Sequence, residues 1–203
     1  MLFSNSMNIN LADVNNGKYT VSIIADDEYI GPNIAMGHEW DGWMRNDIKT
    51  YYKEGTDILD VGANIGYNTL MFSDYGPVSS FEPVFHQIVA KNVKQNPIRH
   101  PVNVYTCALS NEKKQMEIFI PSHGCQSNTQ INYGGTSFHL EGDMKGMGMQ
   151  VPCERLDDIY EGIPSVIKID VEHHEMQVLE GAKETIQKHM PTILIEIHDF
   201  DNN

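Results

Sequence analysis

Asp60 leads into the turn Gly62-Ala63-Asn64-Ile65-Gly66, and Glu82 follows 22 residues after Asp60. Glycine accepts positive φ and lets a ligand approach the backbone, and Asn is the non-glycine residue that best tolerates that conformation. An acid at this distance is where a βαβ unit places the group that binds ribose hydroxyls. A dinucleotide fingerprint needs G-x-G-x-x-G to seat a pyrophosphate on a helix N-terminus. Here the pattern is D-x-G-x-N-x-G. A carboxylate at Asp60 would repel a pyrophosphate, but it suits the ammonium and sulfonium charges of S-adenosylmethionine (SAM). The spacing therefore favours SAM over a nicotinamide dinucleotide.

A second set of reactive side chains lies in IKIDVEHHE, Ile167 to Glu175. Asp170 closes an apolar run, and Glu172, His173 and His174 follow at the turn into a helix. A later run ends IEIHD, with Glu196, His198 and Asp199. Neighbouring strands can bring Asp170 and Glu196 together, and Glu196 and His198 are two apart, hence on one face. Asp170, Glu196 and His198 form a hard donor set suited to Mg²⁺ or Mn²⁺. Such an ion would acidify a bound hydroxyl while Glu172 or His173 removes its proton. The plain alternative is that these groups are solvated strand ends and surface histidines.

Ile58, Leu59 and Val61 form a short run suited to a strand buried on both faces. Tyr67 to Ser73 read as a helix, so the glycine turn sits at its N-terminus, and Val78 to Phe81 read as the next strand. Pro83 to Gln95 is expected to be a helix with Pro at its first position. Val102–Thr106, Gln115–Ile120, Ser165–Val171 and Thr192–His198 read as strands, with a helix from about His174 to Lys188 stopped by Pro191. The alternation implies an open α/β, mostly parallel, doubly wound sheet.

Before this core, Tyr19–Ala25 and Glu28–Asn33 look like a hairpin or edge pair, followed by a helix running to about Tyr52. Trp40 and Trp43 either cover the cofactor mouth or pack on the sheet edge. Pro121 to Gln150 has six glycines and little pattern, and is read as an acceptor-binding lid, with disorder as the competitor.

The chain has 203 residues, enough for one domain, divided here into an N-terminal extension and cap (1–54) and a cofactor-binding core (55–203). Twenty-eight acids against 14 Lys and Arg give a formal net charge of −14, which disfavours a nucleic-acid partner and fits a neutral acceptor. No apolar stretch reaches the length of a membrane span, and residues 1–10 lack signal-peptide character. Cys107, Cys125 and Cys153 are odd in number and form no C-x-x-C pair. A reduced, cytoplasmic setting is expected.

The ordered series DILDVGANIGYNT, FEP, CALSNE, VIKIDVEHHEMQVLEGA and PTILIEI, from about Gly55 to His198, resembles the FkbM-type SAM-dependent methyltransferases. The resemblance implies a class I, Rossmann-like methyltransferase fold and O-methylation of sugars or glycosylated small molecules. It also implies that Asp60, Gly62, Asn64 and Gly66 line the cofactor turn, with Ala63, Asn68, Thr69 and Pro83 beside them. Glu82 would take the ribose, and Cys107 and Ala108 would border the adenine. Related metal-dependent sugar O-methyltransferases suggest a ligand role for Asp170 and an acid near Glu196. They place the base at Glu172 or His173. The family usually carries Gly where this chain has His173. Five residues follow His198, so the far sheet edge is expected to be covered by the N-terminal pair, by strands flanking the lid, or by a partner subunit in a homo-oligomer. Two other function classes remain in view: a SAM- or glycan-binding module without catalysis, and a small-molecule methyltransferase acting on a non-sugar hydroxyl.

Overall fold

The structure, a computed structural model, describes residues 9–122, 129–139 and 146–197. Strands β1 (Leu11–Asn15) and β2 (Thr20–Ile24) precede helices α1 (Ile30–Ala35) and α2 (Met44–Tyr51). Next come β3 (Asp57–Val61), α3 (Tyr67–Phe72), β4 (Val78–Phe81), α4 (His86–Gln95) and β5 (Val102–Tyr105). They are followed by β6 (Ala108–Leu109), β7 (Lys114–Pro121), β8 (Gly146–Glu154) and α5 (Leu156–Ile159). Strand β9 (Pro164–Ile169), helices α6 (Glu175–Gly181) and α7 (Lys183–His189) and strand β10 (Thr192–Ile195) complete the series.

The central sheet has the order β10-β9-β3-β4-β5, with every pairing parallel. Its strands are apolar on both faces because helices cover both. Leu59, Val61, Phe81, Ile167 and Ile169 pack with Leu156 of α5 and Val178 of α6. Ile58, Val78 and Val166 pack with Met44 and Ile48 of α2 and with Met71 and Phe72 of α3. Each fully buried side chain of this kind stabilises the fold by about 1.5–3 kcal/mol. The molecule is an α/β, Rossmann-like structure.

Strand periodicity then fixes where the polar residues go. Asp60 and Lys168 are two residues beyond Ile58 and Val166, so they share the face that α3 covers. They lie directly opposite one another in the β3–β9 register. Strand order reverses at this same pair, and in open α/β sheets ligands bind beyond the strand ends at such a point.

Several elements depart from the sequence reading. Glu28–Asn33 is not a strand: Asp27 accepts the Gly31 N–H at 2.6 Å and turns the chain into α1, and β1 is the partner of β2. The hairpin does not join the central sheet. Amides of α4 bond the outer edge of β2 instead. Asn92 and Asn96 accept from the Ser22 and Thr20 N–H groups at 2.7 and 2.9 Å, while Gln95 donates to the Thr20 carbonyl at 2.8 Å. Helix α4 itself begins at His86, not Pro83, because the Glu82 carboxylate holds the Val84 and Phe85 N–H groups in a preceding turn.

Strand β7 belongs to a separate three-stranded sheet, β6-β8-β7, and β8 falls partly within the expected lid. Its sequence, GMGMQVPCE, hides it, since only Val151 and Cys153 are buried. The helix expected from His174 to Lys188 is split at Ala182. A Cβ at Gly181 would lie 1.9 Å from the Ser110 carbonyl oxygen, and Asp157 caps the new start by accepting from Glu184 and Thr185 at 3.0 and 2.9 Å. Among the described residues, the free edges of β5 and β10 are covered by neither N-terminal nor flanking strands.

Candidate active site

A cavity of about 280 Å³ opens beyond the ends of β3, β4 and β9. Its floor is the glycine turn, where Gly62, Asn64 and Gly66 have φ of 77°, 51° and 82°. Gly62 is required by the protein's own packing, since a Cβ there would lie 1.9 Å from the Asp170 carbonyl oxygen. Gly62, Ala63 and Asn64 line the cavity, whereas Gly66 caps α3 against Val89.

Glu82 lines the cavity at the end of β4 and is 6% exposed. It accepts N–H bonds from Asn64 at 2.9 Å, Val84 at 2.7 Å and Phe85 at 2.9 Å. Burial pushes its carboxyl up to about 7, against the pull of those three donors. A carboxylate has about four acceptor positions, so one remains for a ligand hydroxyl. Pro83, Ala108 and Leu109 continue the wall. Cys107 does not line it: its side chain packs in the sheet layer with Leu109 and Leu156, and burial pushes the thiol up to about 11.

Asp60 is also withdrawn from the wall. It is fully buried, accepts from the Thr69 hydroxyl at 2.5 Å and lies 3.7 Å from the Lys168 ammonium. The Asp60 charge is thus met by protein groups, which replaces the expected direct contact with a cofactor cation. Burial raises the Asp60 carboxyl, opposed by Lys168 and Thr69. Thr69 is buried with it, while Asn68 reaches the cavity and donates to Asp41 at 3.0 Å.

Asp170, Glu172 and Glu196 line the opposite end of the cavity. Asp170 and Glu196 follow β9 and β10 directly, and the Glu196 N–H bonds the Ile169 carbonyl at 3.0 Å, so the two acids sit at one level of the sheet. His198 and Asp199 lie outside the described residues. Lys168 donates to the Gly62 carbonyl at 3.0 Å and pairs with Asp170 at 3.1 Å, although it is only 2% exposed. Burial alone would lower its pKa, but Asp170 and Asp60 carry it above the ordinary value, so the ammonium stays charged.

The described residues do not fit the divalent cation expected at Asp170, whose third expected ligand, His198, lies outside them. Among the described residues, no three His, Cys, Asp or Glu side chains converge as metal ligands. Asp170 is already paired with a cation. A second positive charge ~4 Å from the first would meet a repulsion of about 4 kcal/mol per unit charge at an effective dielectric constant of ~20.

Glu172 and His173 have left-handed backbones, φ 50° and 70°, in succession. Ser137 steadies the bend by donating to the Glu172 carbonyl at 2.7 Å. Glu172 lines the cavity. His173 does not, and His174 takes that place. His174 is 2% exposed, has Nε2 3.0 Å from the Ser110 hydroxyl and sits 4.6 Å from the Phe138 ring. Burial lowers its pKa to about 4, leaving a neutral imidazole.

From the region read as a lid, Asn132, Gly134, Thr136 and Phe138 line the cavity, and the Asn64 amide donates to the Tyr133 carbonyl at 3.2 Å. Trp40 lines the mouth, while Trp43 is 61% exposed.

Sequence reasoning did not single out Lys168, and it named His174 only beside Glu172 and His173, without a role. The signal for Lys168 was a charged residue inside an otherwise apolar buried strand, in phase with Asp170. For His174 the only signal was its place in the IKIDVEHHE cluster, which does not tell it from His173.

A family model described as the methyltransferase FkbM domain matches residues 60–203. The chain belongs to the FkbM methyltransferase family. One relative, the 31-O-demethyl-FK506 methyltransferase FkbM of Streptomyces tacrolimicus, is 28% identical over 188 residues, covering 78% of this chain and 71% of the relative. Hexuronic acid methyltransferase AglP of Haloferax volcanii is 29% identical over 150 residues, covering 71% of this chain and 57% of AglP. The crystal structure of a methyltransferase FkbM from Methylobacillus flagellatus has 18% identity and a TM-score of 0.47, covering 71% of this chain and 33% of that one. This FkbM-family chain therefore spans less than two thirds of the length of AglP. Among the described residues, no helix is long and apolar enough to cross a membrane.

Proposed function

We propose that the chain is a SAM-dependent O-methyltransferase that acts on a hydroxyl of a neutral sugar or glycan. The observation that carries this reading is Glu82, clasped by three backbone N–H groups in the wall of a cavity whose other end presents Asp170, Glu172 and Glu196. The family match supports methyl transfer. AglP, named for a hexuronic acid, supports the sugar class.

In this reading Glu82 takes a ribose hydroxyl, with Asn64 and the glycine turn beneath the cofactor and Ala108 and Leu109 against the adenine. SAM supplies an electrophilic methyl group on a sulfonium. Glu172 accepts the proton of the acceptor hydroxyl as its oxygen bonds the methyl carbon, and the C–S electron pair stays on sulfur. The strained backbone at Glu172 aims the side chain, and such strain concentrates at functional sites. His174, neutral and buried, acts by packing the Glu172 bend against Ser110 and Phe138. Trp40 and Tyr29 offer the aromatic faces, and Asp41 and Glu196 the acceptor oxygens, that a polyhydroxylated ring requires.

A neutral acceptor follows from charge. Asp41, Asp170, Glu172 and Glu196 line the cavity, and the described cation there, Lys168, is already paired. A uronate carboxylate would enter against these acids.

Calorimetric titration with S-adenosylhomocysteine (SAH), repeated with NAD, tests the cofactor. A panel of methyl glycosides, uronates and non-sugar alcohols, read by mass spectrometry, then tests the acceptor. SAH binding with methyl gain on neutral glycosides is the expected result. Binding of NAD instead would overturn the cofactor assignment, and methyl gain confined to non-sugar alcohols would overturn the sugar assignment. SAH binding with no transfer to any acceptor would favour a binding module.

A further inference from the structure

We propose that Lys168 is a positioning residue which supplies, from inside the fold, the positive charge that a divalent cation would otherwise bring to Asp170. The inference rests on the SAM-binding reading above and extends it to how the site is held together.

Lys168 is the residue of β9 opposite Asp60, on the face covered by α3. Its ammonium meets three oxygens: the Gly62 carbonyl at 3.0 Å, Asp170 at 3.1 Å and Asp60 at 3.7 Å. An ammonium has three donors and no acceptor: two are at hydrogen-bond distance, to Gly62 and Asp170, the longer contact to Asp60 is an ion pair, and the charged group has no lone pair with which to act as a base. Two of the partners lie on the β3 side of the crevice and one on the β9 side. The ammonium therefore ties together the two strand ends that flank the switch point. It also holds Gly62, whose Cα packs against the Asp170 carbonyl.

Without this charge, the fully buried Asp60 and the partly exposed Asp170 would have no counterion among the described residues, and the glycine turn would lose its tie to β9. A metal at Asp170 would have to share that carboxylate with the Lys168 ammonium, 3.1 Å away. The other charged groups facing the ammonium are Asp41 and Glu82, both acidic, so no second cation of the described residues can replace it.

The test uses the full chain, EDTA-treated, with SAH and Mn²⁺ as probes. Wild-type protein should bind SAH with an affinity that changes less than about twofold between EDTA and Mn²⁺. Lys168→Ala, checked for folding by its melting curve, should lose at least about tenfold in SAH affinity. Methylammonium should restore much of that loss where the same ionic strength of NaCl does not. Lys168→Arg should retain binding better than Lys168→Ala.

Unchanged SAH affinity in Lys168→Ala would overturn the proposal. So would a loss that neither methylammonium nor Arg relieves, because that pattern belongs to a purely structural residue. A wild-type requirement for Mn²⁺ overturns it as well, and this arm decides the matter even if Lys168→Ala does not fold. Failure of wild-type protein to bind SAH under any condition would instead remove the cofactor reading, and is distinguished by preceding any substitution.

Discussion

Glu82 and His174 are buried in the same cavity wall, and burial moves their protonation in opposite senses. In the folded chain Glu82 keeps its proton up to about pH 7, whereas an unfolded glutamate releases it near 4.5. The folded state then binds more protons across that window, so stability falls as pH rises from 4.5 to 7. His174 stays neutral down to about pH 4, while an unfolded imidazole is protonated below 6.5, so its contribution rises with pH from 4 to 6.5. Each effect is on the order of 3 kcal/mol, and the two oppose one another. Urea denaturation across this range should show Glu82→Gln gaining stability over wild type toward pH 7. His174→Gln should gain toward pH 4.

At the Glu172–His173 bend, two substitutions separate base from backbone. Glu172→Gln should lower methyl transfer by about 100-fold or more while SAH binding changes little, as loss of a general base does. His173→Gly should retain turnover within a few-fold, since His173 does not line the cavity. It should also stabilise the fold by about 0.5–1 kcal/mol by relieving the left-handed strain at φ 70°. Kinetics paired with melting curves check both. If turnover collapses in His173→Gly alone, the base assignment moves to that imidazole.

Among elements, the least expected is the N-terminal hairpin. Its strand β2 was legible from Val21, Ile23 and Ile24, but its partners were not. Ser22 is fully buried, and the Asn92 side chain accepts from its N–H and donates to its carbonyl at 3.2 Å. Helix α4 thus stands in for a neighbouring strand. Asn92 also donates to the Ile65 carbonyl at 2.7 Å, so Asn92→Leu should cost roughly 3–5 kcal/mol, because three buried backbone groups lose their partners. Urea denaturation measures this, and a loss under about 0.5 kcal/mol would show that these bonds do not hold the strand. Of the five central strands, β3, β9 and β10 were legible as short, largely apolar runs bounded by turn residues. Strands β4 (VSSF) and β5 (VNVY) showed only β-branched and aromatic residues around polar ones. Strand β8 was not legible, because its first half is exposed and carries glycine where alternation would show.

At the scale of the whole molecule, a net charge of −14 and an acidic cavity act together on what can approach. A hexuronate acceptor should show a KM that falls as ionic strength rises from about 0.01 M to about 0.15 M, where screening shortens from ~30 Å to ~8 Å. The KM of a matched neutral hexoside should stay level. Initial rates on the two glycosides measure this directly, and parallel behaviour of the two would remove charge as a determinant of acceptor choice.

The sequence alone determined the parallel α/β order, the glycine turn and the acids that close β4, β9 and β10, because strand period and turn chemistry are local properties. It could not determine what each charge would meet. Asp60, read as a partner for the cofactor, proves to be a partner for Lys168, which lies 108 residues away but directly opposite in the sheet. Cys107 and His173 turn away from the cavity, while Leu109 and His174 enter it. Those outcomes depend on sheet register and on which side chains the helices cover, and both are decided only when distant strands pack.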